Sequence, residues 1–335
     1  MKRAVILMNL GGPDKQESVK PFLFNLFNDP AIINIIQPFR FFIAKLISSL
    51  REKKAKGIYK LMGGGSPILK LTEFQKKSLE KNLRKKGEYK CFVIMRYWHP
   101  RASEVYQEVL QYNPKEVILL PLYPQFSTTT TGSSVNEWKN INTNNFKTKT
   151  ICCYPNDESF INAHVKSIRK FLNIKLLPKT ILLFSAHGLP QKIIDSGDPY
   201  QWQVEETVEK IIEKLKIKNL NFNVCYQSRV GPLKWIGPST DDEIIRNSRQ
   251  KFGIVLCPIA FVSEHSETLV ELDIEYKHLA KKNGALFYKR VPALGVNKDF
   301  IKGLTNLVLN KKSYGIKGLK PPFCDSSFRR CFCKT

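Results

Sequence analysis

Short apolar runs rich in β-branched residues alternate along this chain with longer segments in which apolar positions recur every three or four residues. The runs at 4–10, 91–95, 116–120, 147–151, 180–185, 222–225, 253–257 and 285–290 predict strands. The amphipathic segments at 71–86, 102–111, 133–139, 157–173, 200–215, 240–250, 265–282 and 298–310 predict helices. Strand and helix in turn build parallel sheets covered by helices on both faces, so the expected architecture is α/β and doubly wound. Pro178, in the polar break after 157–173, divides the strands into two Rossmann-like sets of four. That sets the expected halves at 1–175 and 176–311, with a tail at 312–335. Ligands in such sheets sit beyond the carboxyl ends of strands, which directs attention to 9–13, 121–125, 185–190 and 260–265.

With 335 residues, 42% of them hydrophobic, the chain fills one or two full cores and is no disordered segment. Its 54 Lys and Arg against 29 Asp and Glu give a formal charge of +25, which invites a polyanion as partner. No recognition-helix pattern, zinc-finger spacing or RNP-type aromatic motif accompanies that charge, so nucleic acid is not expected. A solvated basic surface, or attraction to anionic lipid or an anionic small molecule, accounts for it equally well. The cysteines are scattered until a cluster at the end, which suits a reducing cytoplasm. Lys2-Arg3 and the apolar run behind them superficially mimic a signal peptide, but the run meets Gly11-Gly12-Pro13-Asp14 and reads as a first strand. The stretch 31–50 is broken by Asn34, Gln37, Pro38, Arg40 and Lys45, too often for a bilayer span of about 20 apolar residues. Within it, 40–47 mixes aromatic, aliphatic and basic residues. It reads as a core-facing helix, or as an apolar lip for a greasy ligand or a membrane surface.

His187 follows an apolar run and is flanked by Ala186 and Gly188, which leave its imidazole uncrowded. An imidazole there suits a general base or a metal ligand, with a satisfied loop histidine as the bland alternative. The segment 264–276 holds Glu264, Glu267, Glu271, Asp273 and Glu275 and no Lys or Arg, a local reversal of the chain's sign. On a helix Glu267, Glu271 and Glu275 line one side, while Leu269 and Leu272 point elsewhere. Like charges at that spacing cost a few tenths of a kcal/mol per pair, so the row calls for a compensating cation: a divalent metal, protons, or both. An ordinary solvated helix face is the competing reading. Gly63-Gly64-Gly65-Ser66-Pro67 exposes successive backbone N–H groups but lacks a Walker lysine; close backbone approach to a flat ligand is at least as well served. Neither Ser185 nor Ser263 sits in a G-x-S-x-G elbow, which argues against a serine hydrolase. Cys324, Cys331 and Cys333 offer three thiolates to a soft metal or Fe–S cluster, one short of the usual four, or form a tail of unliganded thiols.

Taken together, these motifs resemble the ferrochelatase family, protoheme ferro-lyases that insert ferrous iron into protoporphyrin IX at the last step of heme biosynthesis. The resemblance runs from about Val5 to Leu309. It is carried in order by Asn9-Leu10-Gly11-Gly12-Pro13, Gly63-Gly64-Gly65-Ser66-Pro67-Ile68, Arg96-Tyr97-Trp98-His99-Pro100, Tyr123-Pro124-Gln125-Phe126-Ser127, Thr131-Gly132-Ser133-Ser134, Ser185-Ala186-His187-Gly188-Leu189-Pro190, Gly197-Asp198-Pro199-Tyr200, Gln227-Ser228-Arg229-Val230-Gly231-Pro232, Trp235-Ile236-Gly237-Pro238 and Ser263-Glu264-His265-Ser266-Glu267-Thr268-Leu269. It implies two Rossmann-like halves with the macrocycle in a cleft between them, and Fe²⁺ as substrate metal. It places the catalytic histidine on His187 and the metal-binding, catalytic glutamate on Glu267, with His265, Glu271 and Glu275 along the metal or proton path. Arg51, Tyr59 and Ser66, by ungapped spacing, and Arg96, Tyr123 and Trp235 fall on porphyrin-contacting positions. Whether His187 is base, ligand or both stays open. Some members carry a [2Fe–2S] cluster on tail cysteines and often a cysteine where this chain has Thr128, so the cluster stays open too. The expected location is cytoplasmic, with peripheral contact on the anionic inner face of the membrane. The alternatives are a chelatase for coproporphyrin or another divalent metal, and a non-catalytic heme or porphyrin carrier.

Overall fold

Among the described residues, eight strands form where the apolar runs predict them, four in each of two parallel sheets. The computed structural model describes residues 1–143, 146–229, 231–309 and 324–332. The first sheet consists of β1 (Arg3–Asn9), β2 (Tyr89–Met95), β3 (Glu116–Pro121) and β4 (Thr148–Thr150), in the order β2-β1-β3-β4. With it go α1 (Val19–Phe27), α2 (Phe39–Lys60), α3 (Ile68–Arg84), α4 (Ala102–Tyr112), a π-helix at Thr128–Gly132 and α5 (Ser133–Ile141). The helix α6 (Glu158–Arg169) precedes the second sheet, which consists of β5 (Thr180–His187), β6 (Asn221–Gln227), β7 (Gly253–Pro258) and β8 (Tyr288–Arg290), ordered β6-β5-β7-β8. Its other helices are α7 (Gln191–Asp195), α8 (Tyr200–Leu215), α9 (Thr240–Arg249) and a π-helix at Glu267–Glu275 that runs into α10 (Tyr276–Lys282); α11 (Lys298–Val308) follows β8.

β1 is buried on both faces, as a central parallel strand must be. Ala4, Ile6 and Met8 pack with Phe92 and Ile94 of β2, Val117 and Leu119 of β3, and Val105, Val109, Val135 and Trp138 from α4 and α5. Val5 and Leu7, pointing the other way, are equally buried. In the second sheet Ile181, Leu183, Cys225, Ile254 and Leu256 share a core with Leu272, Tyr276 and Ala280. Each fully buried aliphatic side chain of that set contributes about 2 kcal/mol, so Leu272 fastens the π-helix to the sheet.

The described residues divide into two compact units, one of 1–153 with 304–309 and Phe332, the other of 154–303 with 324–331. The division falls at 153/154, whereas the sequence sets the halves on either side of 175/176. The cause is α6, which carries Asp157 as its N-cap, accepting from the N–H groups of Ser159 (3.0 Å) and Phe160 (2.9 Å), and packs within the second unit.

Two further differences bear on function. The helix expected over 265–282 begins as π, with the Tyr276 N–H donating to the carbonyl five residues back, Glu271. In α2, Ala44, Ser48, Ala55 and Tyr59 face inward while Phe39, Phe42, Leu46 and Leu50 stand exposed. Spacings of three and four put those four apolar residues in one stripe, on the side where an amphipathic surface helix carries polar groups. No helix among the described residues is long and apolar enough to cross a membrane.

Candidate active site

β5 and β7 are hydrogen-bonded neighbours, and their carboxyl ends deliver the central pair. His187 is the last residue of β5, and Glu267 opens the π-helix that follows β7. The His187 Nδ1 lies 2.8 Å from Glu267 Oε2. The His187 side chain is 38% exposed, so a ligand can still reach it. His265 Nε2 stands 4.0 Å from the other carboxylate oxygen, Glu267 Oε1. Thr268 pins His265 by accepting from its backbone N–H at 3.0 Å and donating to its carbonyl at 3.1 Å.

The electrostatics follow the geometry. Burial works to lower the His187 pKa, but the charge and hydrogen bond of Glu267, with Glu271 behind it, raise it above the ordinary imidazole value. Burial likewise works to raise Glu267, and His187, His265 and the Ser228 hydroxyl outweigh it, holding that carboxyl well below the usual range. Glu271 goes the other way: burial and the charge of Glu267 raise it, against hydrogen bonds from Ser228 and Tyr276. Burial lowers His265.

The acids of 264–275 fall into distinct environments. Arg290, at the end of β8, forks onto Glu264 (2.8 and 3.0 Å) and Asp273 (2.7 and 2.6 Å). Glu271 meets four donor groups: Gln227 Nε2 at 3.1 Å, the Ser228 N–H at 3.0 Å, Ser228 Oγ at 2.6 Å and the Tyr276 hydroxyl at 3.1 Å. The Tyr276 hydroxyl also lies 3.1 Å from Asp241 Oδ2. Glu275 ends the π-helix exposed to solvent. The charge row of the sequence is therefore met by His187 at one point and by neutral donors at another, while the nearby guanidinium answers to the two acids outside it. Among the described residues no group of three or more His, Cys, Asp or Glu side chains is arranged to hold a metal ion.

Trp235 belongs to the same unit; it bridges to Pro190, three residues after His187. The other expected porphyrin contacts lie in the first unit. Arg51 sits on α2 with its guanidinium over the Phe27 ring at 5.7 Å, and Tyr59 is buried in a cluster with Phe22 and Tyr97. The Ser66 N–H donates to the Pro13 carbonyl at 2.7 Å, and a side chain at Gly65 would strike the Asp14 carbonyl. Tyr123 follows β3. Arg96 is held by Asp29 (2.9 Å), Glu137 (3.3 Å) and Ser133 (2.6 Å), so its guanidinium is already engaged within the protein. In the tail, the buried Cys324 and Cys331 bring their sulfurs to 3.1 Å, and Gln203 Nε2 lies 3.2 Å from Cys324. Cys333 lies outside the described residues.

Sequence reasoning gave no site role to Gln227, Ser228, Tyr276 or Arg290, although Gln227 and Ser228 lie in a motif that carries the resemblance. Gln227 ends β6, Ser228 follows it and Arg290 ends β8, so the strand-end rule extended to every strand would have pointed to these three positions, though not to what each does.

A family model described as ferrochelatase matches residues 2–312. The ferrochelatase of Pelagibacter ubique is 58% identical over 342 residues, covering 99% of this chain and 99% of the relative. That of Rickettsia bellii is 52% identical over 341 residues, covering 99% and 95%. Among solved structures, SirB from Bacillus subtilis with Fe³⁺ superposes with a TM-score of 0.55 at 11% identity, over 92% of this chain and 95% of that one. CbiX, the terminal enzyme of siroheme biosynthesis in denitrifying bacteria, does so at 0.50 and 11% identity, over 93% and 100%. These two likenesses show the chelatase fold.

Proposed function

The chain belongs to the ferrochelatase family, and we propose that its reaction, insertion of Fe²⁺ into protoporphyrin IX to give protoheme, is carried by the His187–Glu267 pair. Metallation by this lyase removes two pyrrole protons as the dication enters. His187 accepts protons through its imidazole, and Glu267, 2.8 Å from Nδ1, stabilises the imidazolium that forms. Glu267 and His265 offer oxygen and nitrogen donors that hold Fe²⁺ less tightly than thiolates would, and the exposed Glu275 gives the path its solvent end. Trp235, Arg51, Tyr59, Ser66 and Tyr123 serve the macrocycle, on the strength of the family resemblance. Arg96, just after β2, ties that strand's end to Asp29 beyond α1 and to Glu137 on α5.

The tail would supply three of the four ligands of a [2Fe–2S] cluster, the fourth coming from elsewhere. The buried Cys324 and Cys331 sulfurs, 3.1 Å apart, suit such a group, with Cys333 as a third donor. When bound, the cluster would supply one-electron redox chemistry. Protein purified without oxygen should show sulfide-to-iron absorption in the visible; a heme-free sample transparent there rules the cluster out.

The single observation that carries the function is the 2.8 Å His187–Glu267 bond on family-matched residues. Anaerobic incubation with protoporphyrin IX and Fe²⁺ should produce the bands of protoheme, and conversion no faster than without protein would refute the assignment. His187→Ala and Glu267→Gln should each remove at least about 99% of turnover in folded protein, the scale of losing a general base. Full activity in either would strip that residue of its role.

A further inference from the structure

Building on that reading of the site, we propose that Glu271 and Ser228 form a latch that positions Glu267 against His187, and that Glu271 is a positioning residue and not an iron ligand. Both oxygens of Glu271 are committed inside the protein, Oε2 to Gln227 and the Ser228 hydroxyl, Oε1 to the Ser228 N–H and Tyr276. A cation could be taken up only by giving up such bonds. Gln227 is itself fixed: it is fully buried, and its carbonyl accepts from Ser185 Oγ at 2.7 Å, which aims its amide at Glu271.

Ser228 explains what the latch holds. Its φ is +61°, in the left-handed region that a serine occupies only where its surroundings fix it. Two bonds to Glu271, one from the backbone and one from the hydroxyl, do the fixing. So placed, Ser228 Oγ lies 3.3 Å from Glu267 Oε2, the same oxygen that meets His187 Nδ1 at 2.8 Å. Glu271 thus reaches the imidazole through a hydroxyl and a second carboxylate, and its work is orientation.

Steady-state kinetics with varied Fe²⁺, together with the NMR signal of the imidazole N–H that His187 shares with Glu267, provide the test. Glu271→Gln puts an amide where donors converge, and Ser228→Gly relieves the left-handed backbone while deleting the hydroxyl bridge. Each should lower kcat by about ten-fold or more, leave KM for iron within about two-fold, and shift or broaden the His187 N–H signal. The double variant should be no worse than the worse single one, as expected of groups acting as one unit. A rise of about ten-fold in KM for iron with kcat held, or an unmoved N–H signal in both variants, overturns the latch. Failure of the native protein to metallate porphyrin would instead remove the function beneath it, and the N–H signal, read without turnover, still decides the positioning. If Glu271→Gln does not fold, Ser228→Gly carries the same outcomes alone.

Discussion

Arg290 is the residue whose loss should be felt furthest from its own position. Its side chain is only 9% exposed and ties Glu264, just before His265, to Asp273, in the middle of the π-helix. Glu264 Oε1 also accepts the Ala293 N–H at 2.9 Å. Removing the guanidinium leaves two carboxylates without their cation, a loss of about 3 kcal/mol for a largely buried network. Arg290→Gln should therefore lower the denaturation midpoint. Arg290→Lys should recover only part of it, because an ammonium's three donors cannot reproduce the planar, two-bond contact to each carboxylate; full recovery would refute the clamp. At this scale His187 was legible because a strand end names its own position. Ser228 was not: a serine's identity does not report its φ, and its partner Glu271 is 43 residues away.

The π-helix and α2 show where reading elements from periodicity succeeds and where it stops. The Glu267, Glu271 and Glu275 spacing correctly announces a helix, yet an α-helix and a π-helix both set such positions near one side. The i→i+5 backbone bond that distinguishes them leaves no mark in the hydrophobic pattern. Short helices such as α1 and α7 lie below the length at which periodicity speaks. For α2 the sequence left core helix and apolar lip open, and the exposed stripe of Phe39, Phe42, Leu46 and Leu50 favours the lip. Exposed Lys45, Lys53 and Lys54 on the same helix suit an anionic bilayer surface. Phe42→Asp with Leu46→Asp should reduce co-sedimentation with vesicles containing phosphatidylglycerol by about ten-fold, consistent with burial of two large apolar groups. Unchanged sedimentation would exclude α2 as the contact.

Over the whole molecule, alternation of strand and helix was enough to state the fold class and the two sets of four strands, because parallel strands buried on both faces appear as continuous apolar runs. The unit boundary was less legible, since contacts and not punctuation decide where α6 belongs. The two sheets share one strand order, and in each a π-helix follows the third strand. Asn9 closes β1 opposite Met95, just as His187 closes β5 opposite Gln227. Yet the Asn9 amide donates to Thr72 at 3.0 Å and accepts from the Leu10 N–H at 2.9 Å, and the first π-helix, Thr128-Thr129-Thr130-Thr131-Gly132, contains no ionisable side chain. Among the described residues the strand order and its π-helix are present twice, and a histidine paired with a carboxylate at the end of the central strand once. Substitutions at the end of β1 and in the first π-helix therefore replace no ionisable side chain, whereas the equivalent positions of the second sheet hold His187 and Glu267.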